Sequence, residues 1–177
     1  RRADREFEIG RRGDRPVGSL REIDRPGFAL EGAHPLAEFA ERFDHVVPPN
    51  FRVPPKQLAR CADELDPAVR AAFEESIRRR RAVAEAEREP GVVRVEIAPG
   101  AVVEQKCIAV GRVGLYVPGG LAPLASSVLM NVVPAQVAGV GSLAVASPPQ
   151  AEFGGLPHPN ILALCHLLGV DEVYAVG

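Results

Sequence analysis

Three short apolar runs, Val113–Val117, Leu143–Ala146 and Glu172–Val176, succeed one another at about 30-residue intervals with helical stretches between them. Neighbouring parallel strands need a crossover of a dozen or more residues, whereas antiparallel ones need only a tight turn. The spacing therefore predicts βαβαβ units and a parallel sheet. Charge agrees with burial: there is no Asp or Glu between Glu104 and Glu152.

Pro118 ends the first run, and Gly119-Gly120 permit a tight loop that another group can approach closely. The apolar run from Ser126 to Val140 follows. Pro134 removes a backbone donor inside it, which predicts a kink or a helix start shifted downstream. The next helix has Pro159 in its first turn and Gly169 just past its end, with Ile161, Leu164, Cys165 and Leu168 on the face turned to the sheet.

The amino-terminal half reads differently. Residues 1–31 mix Arg with Asp and Glu, and Pro16, Gly18, Pro26 and Gly27 break any periodicity, so an irregular segment is expected. The triplet Arg12-Gly13-Asp14 reads as a chance solvated turn. Leu36, Phe39, Ala40 and Phe43 then fall at i, i+3, i+4 and i+7, the spacing of one helical face. Leu58, Cys61, Ala62 and Leu65 repeat it after an extended, proline-bracketed link.

Asp66-Pro67 predicts an N-cap and first turn for a long helix lined by Val69, Phe73, Ile77 and Ala84. Its other side offers the pairs Glu74 with Arg78, Glu75 with Arg79, and Arg81 with Glu85, so Arg78–Arg81 reads as a solvated, paired face. Val92, Val93, Val95 and Ile97 alternate with Arg94 and Glu96 as a strand with one wet face.

A chain of 177 residues has room for one domain, or for one domain with an appended arm. With 21 basic against 23 acidic residues it lacks the basic excess of a nucleic-acid binder. No apolar run reaches the roughly 18 residues of a membrane span, because Pro134, Gln136, Gly139 and Gly141 interrupt the longest. Cys61, Cys107 and Cys165 are widely separated, which fits a reducing cytoplasm and three buried small side chains. The start, Arg1-Arg2-Ala3, has neither an initiator Met nor a signal-peptide core.

A glycine turn at a helix N-terminus can hold a phosphate through free N–H groups and the helix dipole. Gly119-Gly120 is nevertheless not G-x-G-x-x-G, and Ser147-Pro148 stand at the end of the second strand where a dinucleotide fold usually has an acid. His34, His45, His158 and His166 show no metal-ligand spacing.

Arg112-Val-Gly-Leu-Tyr-Val-Pro-Gly-Gly120, with Ser126-Ser-Val-Leu-Met-Asn131, Pro134-Ala-Gln-Val-Ala-Gly139 and Gly169-Val-Asp-Glu-Val-Tyr174, resembles the histidinol dehydrogenases. The likeness is most specific from Cys107 to Gly177. It implies an enzyme dependent on zinc and NAD that oxidises L-histidinol to L-histidine at the end of histidine biosynthesis, acting as a homodimer. It further implies that Tyr116 contacts the cofactor, that Pro118 shapes the same surface and that Phe43 lies near the nicotinamide cofactor. Phe43 as the last core residue of its helix, and Tyr116 as a residue closing the sheet edge, are the plain structural alternatives.

Ala33, Ala84 and Glu87 stand where the family commonly has Asp, His and Gln. The resemblance puts the zinc ligands and the Glu–His proton-transfer pair downstream of Gly177, so no catalytic or metal residue is assigned within the chain. The expected fold is α/β: a helical N-terminal arm followed by an incomplete Rossmann-like parallel sheet. In segments, residues 1–31 are irregular, 32–106 form a helical arm with one strand, and 107–177 begin an NAD-side domain. Three readings stay open: part of a histidinol dehydrogenase, an inactive fragment that only folds or dimerises, and an unrelated small Rossmann-like binding domain.

Overall fold

A computed structural model describes residues 33–88, 91–119 and 124–177. Residues 1–31, with the Arg-Gly-Asp triplet, and Gly120 lie outside that set. Leu36–Gly177 form one compact unit.

The parallel sheet has the expected form. Strands β3 (Arg112–Tyr116), β4 (Ser142–Ser147) and β5 (Val173–Ala175) lie side by side in that order, with both pairings parallel. Helix α4 (Ala125–Val137) crosses from β3 to β4, and α5 (Pro159–Leu167) from β4 to β5. β4 is the central strand and buries Ala144, Val145 and Ser147. β3 alternates between exposed and half-buried positions, as an edge strand does.

The other edge is covered. The link after the first helix lays Phe51–Val53 antiparallel on β5, with Ala175 N–H donating to Phe51 O (2.7 Å) and Val53 N–H to Val173 O (2.8 Å). A proline-flanked segment too short for a periodic signal thus becomes a further sheet partner.

Pro134 does not delay α4, which starts at Ala125 and carries Pro134 inside it. The donor it lacks would have reached the carbonyl of Met130, an exposed residue, and the helix closes with Ala138 N–H donating to Pro134 O at 2.8 Å. Gln136, two residues on, donates to Leu168 O (2.7 Å) and accepts from Arg81 (3.0 Å). One amide thereby joins three helices.

Helix α2 (Pro55–Asp63) buries Leu58, Cys61 and Ala62 against α5. That covering explains why α5 is buried at Leu162 and Ala163 as well as on its expected face. Asp66 caps α3 (Pro67–Glu87) as expected, accepting from Ala68 N–H (2.8 Å) and Val69 N–H (3.3 Å).

The pairing along α3 keeps one of the three expected i, i+4 pairs, Glu75 with Arg79, and departs from the other two. Glu75 takes both Arg78 and Arg79 (2.7 Å each), Arg70 pairs with Glu74 (3.7 Å), and Arg80 with Glu87 (3.1 Å). Arg81 turns inward to Gln136. Only Arg78 and Arg79 make the solvated face expected of all four arginines, because α4 packs along the flank that carries the other two.

Two further expectations are corrected. The 32–106 segment carries two strands rather than one: β1 (Val92–Ala98) and β2 (Ala101–Lys106) form an antiparallel hairpin exposed on both faces. The polar end of β2, Glu104-Gln105-Lys106, hides its strand pattern. Cys107, expected to be buried, is exposed just after β2, where the neighbouring Ile108 is also open to solvent.

Candidate cofactor edge

In open α/β sheets ligands bind outside the carboxyl ends of the strands. Here those ends fall at Tyr116, Ser147 and Ala175. Tyr116, Ala146 and Tyr174 lie in lateral register across the three strands, which places the outer two about 10 Å apart.

Tyr116 and Pro118 are both exposed at this edge. Asn131 of α4 donates to the Tyr116 carbonyl (3.1 Å), tying the strand end to the crossover helix. Val117 is fully buried between the two exposed residues, and its N–H donates to Ala146 O at 2.8 Å. The alternation of a strand therefore continues one residue beyond β3 and turns the Tyr116 ring away from the core.

Gly119 is closely packed. A Cβ there would lie 2.9 Å from Ser147 Oγ and 3.4 Å from Ile161 Cδ1. Gln150 also donates its side-chain amide to the Gly119 carbonyl. Ser147 is fully buried, and its hydroxyl has no hydrogen-bond partner among the described residues. The turn after β3 is thus packed against the last residue of β4 and hydrogen-bonded by Gln150 beyond it.

Phe43 comes from the π-helical turn Ala40–Asp44, which extends α1 (Ala33–Phe39). It is 64% exposed and stacks on Phe39 with ring centroids 6.1 Å apart, while the Arg42 guanidinium lies 5.0 Å from its ring. This excludes Phe43 as a core residue of the described fold; of that helical face only Ala40 is buried. Asp44, next in sequence, packs against Gly177 just past β5, with its oxygens 2.6 and 2.7 Å from where a Cβ would sit. Burial raises the Asp44 pKa, and the neighbouring His45 partly offsets that.

The histidines are dispersed. His45 is exposed and left-handed (φ 57°), His166 is exposed, and His158 caps α5 by accepting from Asn160 N–H through Nδ1 (3.1 Å). Among the described residues no group of three or more His, Cys, Asp or Glu side chains is placed to hold a metal ion. Nor is any helix of the described residues long and apolar enough to cross a membrane.

A cleft of about 730 Å³ lies between the end of α3, the Lys106–Ala109 link and the end of α4. None of its lining residues lies at the carboxyl ends of the parallel strands, so its size alone does not make it the ligand site.

The sequence profile of the histidinol dehydrogenase family matches residues 28–177. The chain belongs to the histidinol dehydrogenase family. It is 69% identical to the histidinol dehydrogenase of Cutibacterium acnes over 147 residues, which is 82% of this chain and 34% of that protein. The Corynebacterium glutamicum enzyme is 52% identical over 169 residues, or 94% of this chain and 38% of its own, and that alignment reaches into the first 31 residues. The crystal structure of histidinol dehydrogenase from Elizabethkingia anophelis superposes with a TM-score of 0.73 at 25% identity, covering 85% of this chain and 34% of that one. The chain therefore spans about a third of the length of these histidinol dehydrogenases.

Asp44, Asn131 and Gln150 contribute to the edge, yet sequence reasoning assigned none of them a place there, because each is a single polar residue on which hydrophobic periodicity carries no signal.

Proposed function

We propose that this chain is part of a histidinol dehydrogenase, oxidising L-histidinol through L-histidinal to L-histidine with two NAD, and that Tyr116, Pro118 and Phe43 belong to its cofactor surface. The observation that carries this reading is the exposed Tyr116-Val-Pro118 turn at the carboxyl edge of a parallel sheet, within a segment matched by the family profile.

The residues at the edge fit a dinucleotide in two respects. Gly119 brings backbone to a place that a Cβ would fill, and the Tyr116 ring offers a flat face with a polar tip. NAD supplies the hydride acceptor when bound. The chain's part is to orient it: Asn131 and Gln150 fix the two ends of the turn that carries Tyr116 and Pro118.

Zinc is a different matter. Among the described residues no group of three or more His, Cys, Asp or Glu side chains could hold a metal ion, and the family resemblance puts the zinc ligands in other segments of the enzyme. The catalytic groups are assigned outside the chain in the same way. A reducing, cytoplasmic setting is supported by Cys61 and Cys165, which are buried without a disulfide.

The test is Tyr116→Ala in the full-length enzyme. NAD affinity falls by about tenfold with little change in thermal stability, as loss of a ring face predicts. A large loss of stability with unchanged NAD affinity would make Tyr116 a residue that closes the sheet. The 177-residue chain alone is expected not to reduce NAD when given histidinol and zinc.

Homodimerisation belongs to the same reading. It is supported by the hairpin, where Val93, Val95, Ile97 and Val103 are each more than half exposed. Sedimentation of Ile97→Lys against the parent tests whether this surface takes part.

A further inference from the structure

The second strand of the sheet ends in Ser147-Pro148, without the acid that holds a ribose hydroxyl in dinucleotide folds. Ser147 cannot replace it, since its hydroxyl is fully buried beneath the Gly119 turn. The fold supplies an acid from elsewhere. Asp44, at the end of the π-helical turn, reaches the carboxyl end of β5 and lies against Gly177.

We propose that Asp44 is the carboxylate that receives a ribose diol of the dinucleotide at this edge. The inference rests on the cofactor reading above and adds to it a binding residue.

Three features support it. First, the approach is specific: the Asp44 oxygens and Cγ lie 2.6, 2.7 and 3.0 Å from where a Cβ on residue 177 would be, so only glycine admits the carboxylate there. Second, the carboxylate is half-buried, and among the described residues it accepts no hydrogen bond. A carboxylate that accepts no hydrogen bond from the described residues can receive two adjacent hydroxyl donors. Third, Phe43 beside it offers an exposed apolar ring to the flat part of a nucleoside.

His45, the residue after Asp44, ends the π-helical turn in the left-handed region (φ 57°), and among the described residues it is the one non-glycine with positive φ.

The experiment compares Asp44→Ala, Asp44→Asn and Gly177→Ala with the parent in the full-length enzyme. NAD and NADP dissociation constants are measured by calorimetry, alongside melting temperature and the KM for histidinol. Asp44→Ala is expected to weaken NAD by about tenfold or more, as loss of hydrogen bonds to a charged group does, with Asp44→Asn between it and the parent. Gly177→Ala, whose methyl group displaces the carboxylate, should weaken NAD in the same direction. The KM for histidinol stays unchanged.

NADP distinguishes the two riboses. If the adenine ribose is held, the parent disfavours NADP and Asp44→Ala removes that preference; if the nicotinamide ribose is held, both cofactors weaken equally. Unchanged NAD affinity in Asp44→Ala overturns the proposal, and a lowered melting temperature with that affinity intact makes Asp44 a latch on the turn after β5. Should Tyr116→Ala weaken NAD while Asp44→Ala does not, the cofactor surface stands and Asp44 is removed from it. If neither weakens NAD, the surface itself is wrong.

Discussion

Arg112 and Glu172, 60 residues apart in sequence, pair at the amino ends of the first and last strands of the parallel sheet. Arg112 also donates to Ser142 Oγ (2.7 Å) on the central strand, and Tyr174 donates its hydroxyl to Glu172 (2.9 Å). One guanidinium thus clamps all three strands at the end opposite the candidate cofactor edge. The arrangement separates the ion-paired end of the sheet from the candidate binding end.

Arg112→Met should accordingly lower stability without touching cofactor affinity. Both partners are partly exposed, at 34% and 16% of the side chain, so the loss is about 1 kcal/mol rather than that of a buried pair. Urea unfolding monitored by circular dichroism checks the first half, and NAD titration of the full-length enzyme the second.

His158 gives a pH dependence of definite sign. Its Nδ1 accepts from Asn160 N–H, which only the neutral ring can do, and burial lowers its pKa from the ordinary 6.5, partly offset by Glu152. The folded-state pKa lies below the unfolded one, so the contribution is complete above the unfolded value and is lost as pH falls through the folded one. Unfolding free energy should drop between about pH 7 and pH 5, and His158→Asn, which caps without titrating, should flatten that slope.

Gly119 and Ser147 should couple. Gly119→Ala puts a Cβ 2.9 Å from Ser147 Oγ and is expected to destabilise the protein. Ser147→Ala removes a buried hydroxyl that has no partner among the described residues, so it should be neutral or stabilising by up to about 1 kcal/mol. The double variant should recover part of the Gly119→Ala loss, which a double-mutant cycle of unfolding free energies measures.

The three cysteines should differ sharply in reactivity. Burial raises the Cys61 thiol pKa, and that of Cys165 is pushed up to about 12, while Cys107 is exposed. Alkylation by iodoacetamide at about pH 8 should modify Cys107 alone in the native protein and all three after denaturation, read by mass spectrometry.

Several of these relationships were visible in the sequence and others were not. The Asp66 cap, the buried face of α2 and the βαβαβ order follow from local patterns, because capping and periodicity are properties of neighbours in the chain. Phe39 and Phe43 have the spacing of a core face yet stand exposed, since spacing records which side chains share a face and not whether anything covers it. Arg81 was assigned to Glu85 by the i, i+4 rule and found Gln136 instead, 55 residues away.

The sequence by itself determined the element types, the parallel sheet and, through the Arg112–Gly120 and neighbouring motifs, the family. Only the tertiary structure decided that Phe51–Val53 covers β5, that the hairpin stays bare on both faces, and that Asp44 meets Gly177 at the carboxyl edge. The physical reason is range. Propensities and hydrophobic periods act over a few residues, whereas a carboxylate is brought to a strand end more than a hundred residues later by the packing of everything between.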